Sequence, residues 1–123
     1  MLTNGVDIIE ISRIRKMVKR WGKRFLNRIY TETEIRICRG KPEKLASRFA
    51  GKEAVMKALG TGIRGISWLE IEIDSEPSGK PVVNLYGKAQ AKAENLGINE
   101  LAISLSDSRE YSVAFVVGEV KPD

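Results

Sequence analysis

The chain has 123 residues, 42% of them hydrophobic and 30% charged, with a formal net charge of +5. That length and balance predict a single globular domain, residues 1–123, and exclude an intrinsically disordered chain; no apolar run approaches the roughly 20 residues of a membrane span. Histidine is absent and Cys38 is the only cysteine, so Ser-His and Cys-His nucleophile pairs, imidazole metal sites and an internal disulfide are excluded. Acid–base chemistry then falls to carboxylates, lysines or water.

The opening MLTNGVDIIEISRIRK lacks a charged leader and a cleavage pattern and reads as mature sequence, with the cytoplasm as the expected compartment. Leu2 to Ile9 predicts a strand whose apolar run is interrupted by Asp7. A carboxylate there is costly to bury unpaired, so Asp7 is expected to pair with a cation or to coordinate one. Ile11, Ile14, Val18, Trp21 and Phe25 recur at spacings of three and four, the stripe of a helix that Gly22 breaks or bends. From Ile11 to Thr31 there are eight basic residues and no acid. With Trp21, Phe25 and Tyr30 interleaved, this run fits phosphate contacts and stacking on nucleic acid, or an acidic protein helix, against the plainer reading of a solvated basic face.

Thr31 with Glu34 three residues on is a capping-box pattern for a short helix ended by Gly40. Pro42 then opens a longer helix that Gly60 closes. Within it, RFAGKEAVMKALGTG (Arg48 to Gly62) sets Glu53 and Lys57 four residues apart on one face, together with Ala46 and Ala50, which are small enough to let a large ligand or a neighbouring subunit approach. The apolar stripe is Leu45, Phe49, Met56 and Leu59. Such a pair reads either as a surface ion pair worth a few tenths of a kcal/mol or as two groups acting on one ligand. Asp7 with Glu53 makes a two-carboxylate set of the kind Mg²⁺ uses when phosphates and waters fill its other positions.

GTGIRG, from Gly60 to Gly65, matches GxGxxG but follows a helix and precedes a strand, the reverse of the dinucleotide-binding order, and is rejected as that fingerprint. Beyond it Leu69, Ile71 and Ile73 alternate with Glu70, Glu72 and Asp74, predicting a strand with one face in the core and one in water. SEPSGKP turns the chain into a second strand, Pro81 to Tyr86; a helix from Gly87 to Asn95 stops at Gly97; Leu101 to Ser106 and Tyr111 to Val120 form a final pair. The order β-α-α-α-β-β-α-β-β predicts a compact α+β domain of antiparallel strands packed with helices.

Taken together, GVDIIEISRI, RFLNRIYTETE, RFAGKEAVMKALGTG, WLEIEI, SGKP and SLSDSREYSVAFVV resemble, in order and spacing over nearly the whole chain, the holo-acyl-carrier-protein synthases. These are the small bacterial members of the 4′-phosphopantetheinyl transferase superfamily. The resemblance implies transfer of the phosphopantetheine arm of coenzyme A to a serine of apo-acyl carrier protein, in support of fatty acid biosynthesis, with no nucleic acid or membrane as partner. It implies Mg²⁺ held by Asp7 and Glu53, and Lys57 neutralising phosphate. Glu53 acting through a metal-bound water is the preferred proton acceptor, with direct removal by Glu53 or Lys57 left open. By the same similarity Arg48, Lys52, Lys57, Gly60, Thr61, Gly79, Lys80, Pro81 and Ser106 are expected at coenzyme A, and Arg13, Met17, Arg24, Phe25 and Arg28 at the carrier protein. A homotrimer with active sites between subunits is implied as well. For Lys52, which falls within the apolar stripe, a snorkelling stem or a subunit interface is expected. The family commonly has histidine after the serine of its last-but-one strand, where this chain has Asp107. That departure leaves the phosphate role of position 107 open and keeps a fold without catalysis as an alternative.

Overall fold

The computed structural model describes residues 1–60 and 65–122. Strand β1 (Leu2–Glu10) leads into helices α1 (Ile11–Trp21), α2 (Lys23–Ile29), α3 (Glu32–Cys38) and α4 (Pro42–Leu59). A 3₁₀ turn at Trp68–Glu70 precedes β2 (Ile71–Ser75), β3 (Pro81–Leu85), α5 (Gly87–Leu96), β4 (Ile98–Asp107) and β5 (Tyr111–Val120). The expected α+β architecture is present, with one more helix because the chain breaks at Gly22 between α1 and α2. No helix among the described residues is long and apolar enough to cross a membrane.

Two antiparallel sheets form: β1-β5-β4 and the hairpin β2-β3. In the larger sheet Gly5 and Asp7 of β1 stand opposite Val116 and Ala114 of β5, and Leu105 of β4 pairs with Ala114 from the other side. Strand alternation turns Gly5, Asp7 and Ile9 toward α4 and leaves Val6, Ile8 and Phe115 exposed on the outer face.

Helix α4 is the centre of the molecule. Twelve of its 18 residues are buried, among them Arg48 and Lys52. Its small face, Ala46, Ala50 and Ala54, has no exposed surface and packs within the core, so it receives neither coenzyme nor a neighbouring subunit. At Gly5 any Cβ would overlap the Ala54 carbonyl oxygen, and it would lie 2.9 Å from the Ala58 nitrogen. Glycine at that position is what lets β1 and α4 meet backbone to backbone.

The predicted helix signals are in place. Thr31 and Glu34 form both halves of the capping box, Pro42 starts α4, and Gly60 ends it at φ 74°, with its N–H reaching the Lys57 and Met56 carbonyls. The predicted strand from Leu69 is corrected in two ways. Leu69 lies in the 3₁₀ turn and is exposed, and Glu72 does not face water. Its carboxylate is enclosed, accepting hydrogen bonds from Thr31 Oγ1 (2.7 Å), Tyr86 Oη (3.0 Å) and Asn84 Nδ2 (3.2 Å). Strand β4 begins at Ile98, with a register shift before Leu101 that the sequence pattern does not reveal.

Candidate active site

Asp7 and Glu53 come together because alternation turns Asp7 inward on β1 and the Gly5 contact brings α4 against that strand. Burial raises the pKa of Asp7, against the lowering effects of its Lys57 hydrogen bond and of the Lys57 and Arg13 charges. Burial likewise raises that of Glu53; the Asp7 charge adds to the rise, and Lys57 and Arg13 oppose it. Two half-buried carboxylates therefore repel one another across the β1–α4 contact, with two cations nearby. Such an arrangement favours a bound cation or a proton held between them. Arg13, expected at the carrier-protein surface, thus also acts on the acid pair.

Lys57 extends along β1. Its Nζ donates to the Val6 carbonyl at 2.8 Å and to Asp7 Oδ1 at 3.4 Å, and its side chain is 52% exposed against 17% for Asp7. A long, wet ion pair of this kind holds its partners loosely, so the ammonium is free to exchange Asp7 for a ligand phosphate.

A concavity of about 260 Å³ lies at the end of β4. It gathers four residues expected at coenzyme A, namely Arg48, Gly79, Pro81 and Ser106, with Asp107 in the same lining. Arg48 is held there by Ser75 Oγ (2.7 Å) and the Ile73 carbonyl (3.4 Å). Lys44 joins the lining and adds a cation that the sequence reading missed, although its position four residues before Arg48 is the same helical signal that paired Glu53 with Lys57. Lys80 is exposed in the β2–β3 turn beside this cavity but outside its lining. Thr61 lies outside the described residues.

Two expectations are corrected. Lys52 is fully buried: Nζ meets Glu34 Oε1 at 2.6 Å, the Ile29 carbonyl at 2.6 Å and the Trp68 carbonyl at 3.0 Å. All three ammonium donors are used, so none is left for a coenzyme phosphate. Burial lowers the pKa of Lys52 and raises that of Glu34, while their mutual attraction opposes both shifts. Phe25 is the other correction. It is only 7% exposed and sits edge-on to Tyr30 at 5.9 Å, anchoring α2 to the core rather than facing a partner. Arg13, Arg24 and Arg28 are exposed and Met17 is half-buried. Trp21, 43% exposed, carries the Arg20 and Arg24 guanidinium groups at 5.0 and 5.8 Å from its ring.

Residues 4–116 match the 4′-phosphopantetheinyl transferase superfamily. A holo-[acyl-carrier-protein] synthase of Dehalococcoides mccartyi is 53% identical, covering 97% of this chain and 99% of that protein. One from Herpetosiphon aurantiacus is 48% identical over 96% of this chain and 98% of its own length. Among solved structures, Helicobacter pylori holo-[acyl-carrier-protein] synthase in complex with coenzyme A superposes with a TM-score of 0.86 at 37% identity, covering 94% of this chain and 99% of that one. The Neisseria meningitidis synthase gives 0.84 at 43% identity, covering 95% and 97%.

Proposed function

From this chain's membership of the 4′-phosphopantetheinyl transferase superfamily, we propose that it moves the 4′-phosphopantetheine arm of coenzyme A onto a serine of apo-acyl carrier protein. Adenosine 3′,5′-bisphosphate is released, and the product serves fatty acid biosynthesis in the cytoplasm. The observation that carries the reading is the Asp7–Glu53 pair, with Lys57 beside it, held half-buried between β1 and α4.

The donor set fits Mg²⁺. Asp7 and Glu53 supply two carboxylates, the number Mg²⁺ accepts when water and phosphate complete its shell, and no cluster of three His, Cys, Asp or Glu forms among the described residues. Burial raises both carboxyl pKa values, with the Asp7 charge adding to the rise at Glu53, and a bound cation would offset that cost of holding them ionised. Bound there, Mg²⁺ would neutralise and polarise the pyrophosphate of coenzyme A.

The serine hydroxyl oxygen forms a bond to the pantetheine-side phosphorus while the bond from that phosphorus to the bridging oxygen breaks. Adenosine 3′,5′-bisphosphate leaves with the bridging oxygen. Glu53 accepts the serine proton through a water molecule. Lys57 turns from Asp7 toward the phosphates and offsets developing charge. Arg48 and Lys44 hold the adenosine bisphosphate end in the cavity closed by Gly79, Pro81 and Ser106. The exposed Arg13, Arg24 and Arg28, with Met17, receive the acidic carrier protein.

Arg48 lies about 140° round the helix from Glu53 and about 180° from Lys57, so the two sites use opposite sides of α4. One coenzyme molecule reaching both requires a second copy of the chain. The exposed Val6, Ile8 and Phe115 supply an apolar face for that association, and a closed ring of head-to-tail contacts is a trimer in this reading.

The decisive experiment incubates purified chain with apo-acyl carrier protein, coenzyme A and Mg²⁺ and follows the carrier's mass. A gain of one phosphopantetheine arm, lost when Mg²⁺ is chelated, is expected. An unmodified carrier overturns the proposal.

A further inference from the structure

We infer that the buried Lys52–Glu34 pair is the positioning device of the active site: it fixes the rotation of α4 about its axis and thereby sets where Glu53 presents its carboxylate to Asp7. This rests on the proposed roles of Asp7 and Glu53. Helix α4 is buried nearly all round; toward β1 it meets Gly5 through the Ala54 and Ala58 backbone, and toward β2 Arg48 bonds Ser75 Oγ and the Ile73 carbonyl. The Gly5 contact sets a distance. At the Gly5 seat itself no side chains interlock, since neither glycine nor alanine reaches past the other.

Lys52 is the fully buried charged anchor next to Glu53. Its ammonium binds three acceptors on three different elements: Ile29 at the end of α2, Glu34 in α3 and Trp68 in the 3₁₀ turn. Glu34 is itself immobilised, accepting from the Thr31 N–H at 2.9 Å through Oε1 and from the Ile73 N–H at 2.8 Å through Oε2. The chain of contacts therefore runs from the α3 N-terminus and strand β2 into α4, with no exposed member at the ion pair. Glu53 is the next residue, about 100° further round. At roughly 6 Å from the helix axis, a rotation of about 10° moves a carboxylate about 1 Å. Misplacements of that size cost on the order of 10²-fold in rate.

The test pairs Lys52→Met with Glu34→Gln in the full chain, which removes both charges at similar volume. Thermal denaturation reports folding and, with added MgCl₂, metal binding. In the folded variant, half-maximal stabilisation is expected to need about tenfold more Mg²⁺. Turnover should fall about 100-fold. KM for the carrier and the Kd for coenzyme A measured calorimetrically in EDTA should both stay within about twofold, because Lys52 touches neither. Coenzyme affinity in EDTA weakened about tenfold or more overturns the inference by making Lys52 a phosphate ligand. A folded variant whose Mg²⁺ midpoint and turnover stay within about twofold of native overturns it by making the pair a support of stability alone. Should the paired variant not fold, Glu34→Gln alone, which preserves shape and one accepting oxygen, is judged by the same measurements. If the unaltered chain is not stabilised by Mg²⁺, the assignment of Asp7 and Glu53 fails and this inference with it, a result distinct from either of the others.

Discussion

Helix α4 carries two lysine–carboxylate pairs five residues apart, and they are opposites. Lys52 and Glu34 meet at 2.6 Å with no exposed surface, whereas Lys57 and Asp7 stand 3.4 Å apart with 52% and 17% of their side chains exposed. Every donor of Lys52 has a partner inside the fold, so its charge is spent on architecture. The Lys57 contact is long and wet, so little is lost when a ligand replaces it. The same residue types within one signature thus divide into a fixed post and an available hand, and burial is what separates them.

The largest expected effect comes from Glu53→Gln, which keeps the shape of the exposed pair's neighbourhood and removes its charge. Turnover in the mass-shift assay should fall by about 10²–10⁴-fold, while the thermal midpoint stays near native or rises, because one of two repelling acids is gone. A Glu53→Gln protein with full turnover would place the chemistry elsewhere.

Next, Lys52→Met alone leaves Glu34 buried without its cation and should cost about 3–5 kcal/mol in denaturant unfolding. Lys57→Met should cost less than about 1 kcal/mol and lower turnover instead. Equal destabilisation by the two would erase the distinction between the pairs.

Gly5→Ala drives a methyl group into the Ala54 carbonyl and should destabilise by about 1–3 kcal/mol. It should also raise the Mg²⁺ needed for half-maximal thermal stabilisation; a variant that loses stability but keeps the native Mg²⁺ midpoint would uncouple the β1–α4 seat from the acids.

A smaller effect is expected from pH. Both Asp7 and Glu53 have folded-state pKa values above their ordinary ones, so the folded protein holds more protons there than the unfolded chain. Their contribution to stability is therefore greatest below the ordinary carboxylate range and is lost as pH rises through the raised values. In the proposed site Mg²⁺ would need both groups ionised. The Mg²⁺-dependent rise in thermal midpoint should accordingly grow between about pH 5 and pH 7.5, and a constant increment over that range would show that these acids do not bind the metal. The smallest change is predicted for Asp107→His in the β4 cavity. Coenzyme A affinity, measured calorimetrically, should tighten or stay unchanged, and a clear weakening would count against the placement of phosphate there.

Much of this was legible in the chain. The capping box at Thr31 and Glu34, Pro42 and Gly60 bounding α4, and Asp7 interrupting an apolar strand are local signals, and local hydrogen-bonding rules suffice to read them. Arg48, Gly79, Pro81 and Ser106, which the family resemblance assigns to coenzyme A, line one cavity of the chain. Lys52 was misread because its partner lies 18 residues earlier in a different helix, and periodicity reports only the face a residue occupies, not what meets it there. Glu72 looked solvent-facing for the same reason: Thr31 before α3, Asn84 of β3 and Tyr86 before α5 cover it. Ala46 and Ala50 looked like space for a ligand and instead lie fully buried, part of a small-residue face on which Gly5 meets Ala54.

The sequence by itself determined the helix ends, the alternation that turns Asp7 inward, the spacing that puts Glu53 and Lys57 on one face, the basic N-terminal run and the family. These follow from short-range backbone geometry and from residue identity. Only the tertiary structure decided which charges are buried and which are free, because desolvation depends on the elements packed around a side chain rather than on its neighbours in the chain. It made Lys52 a post and left Lys57 a hand.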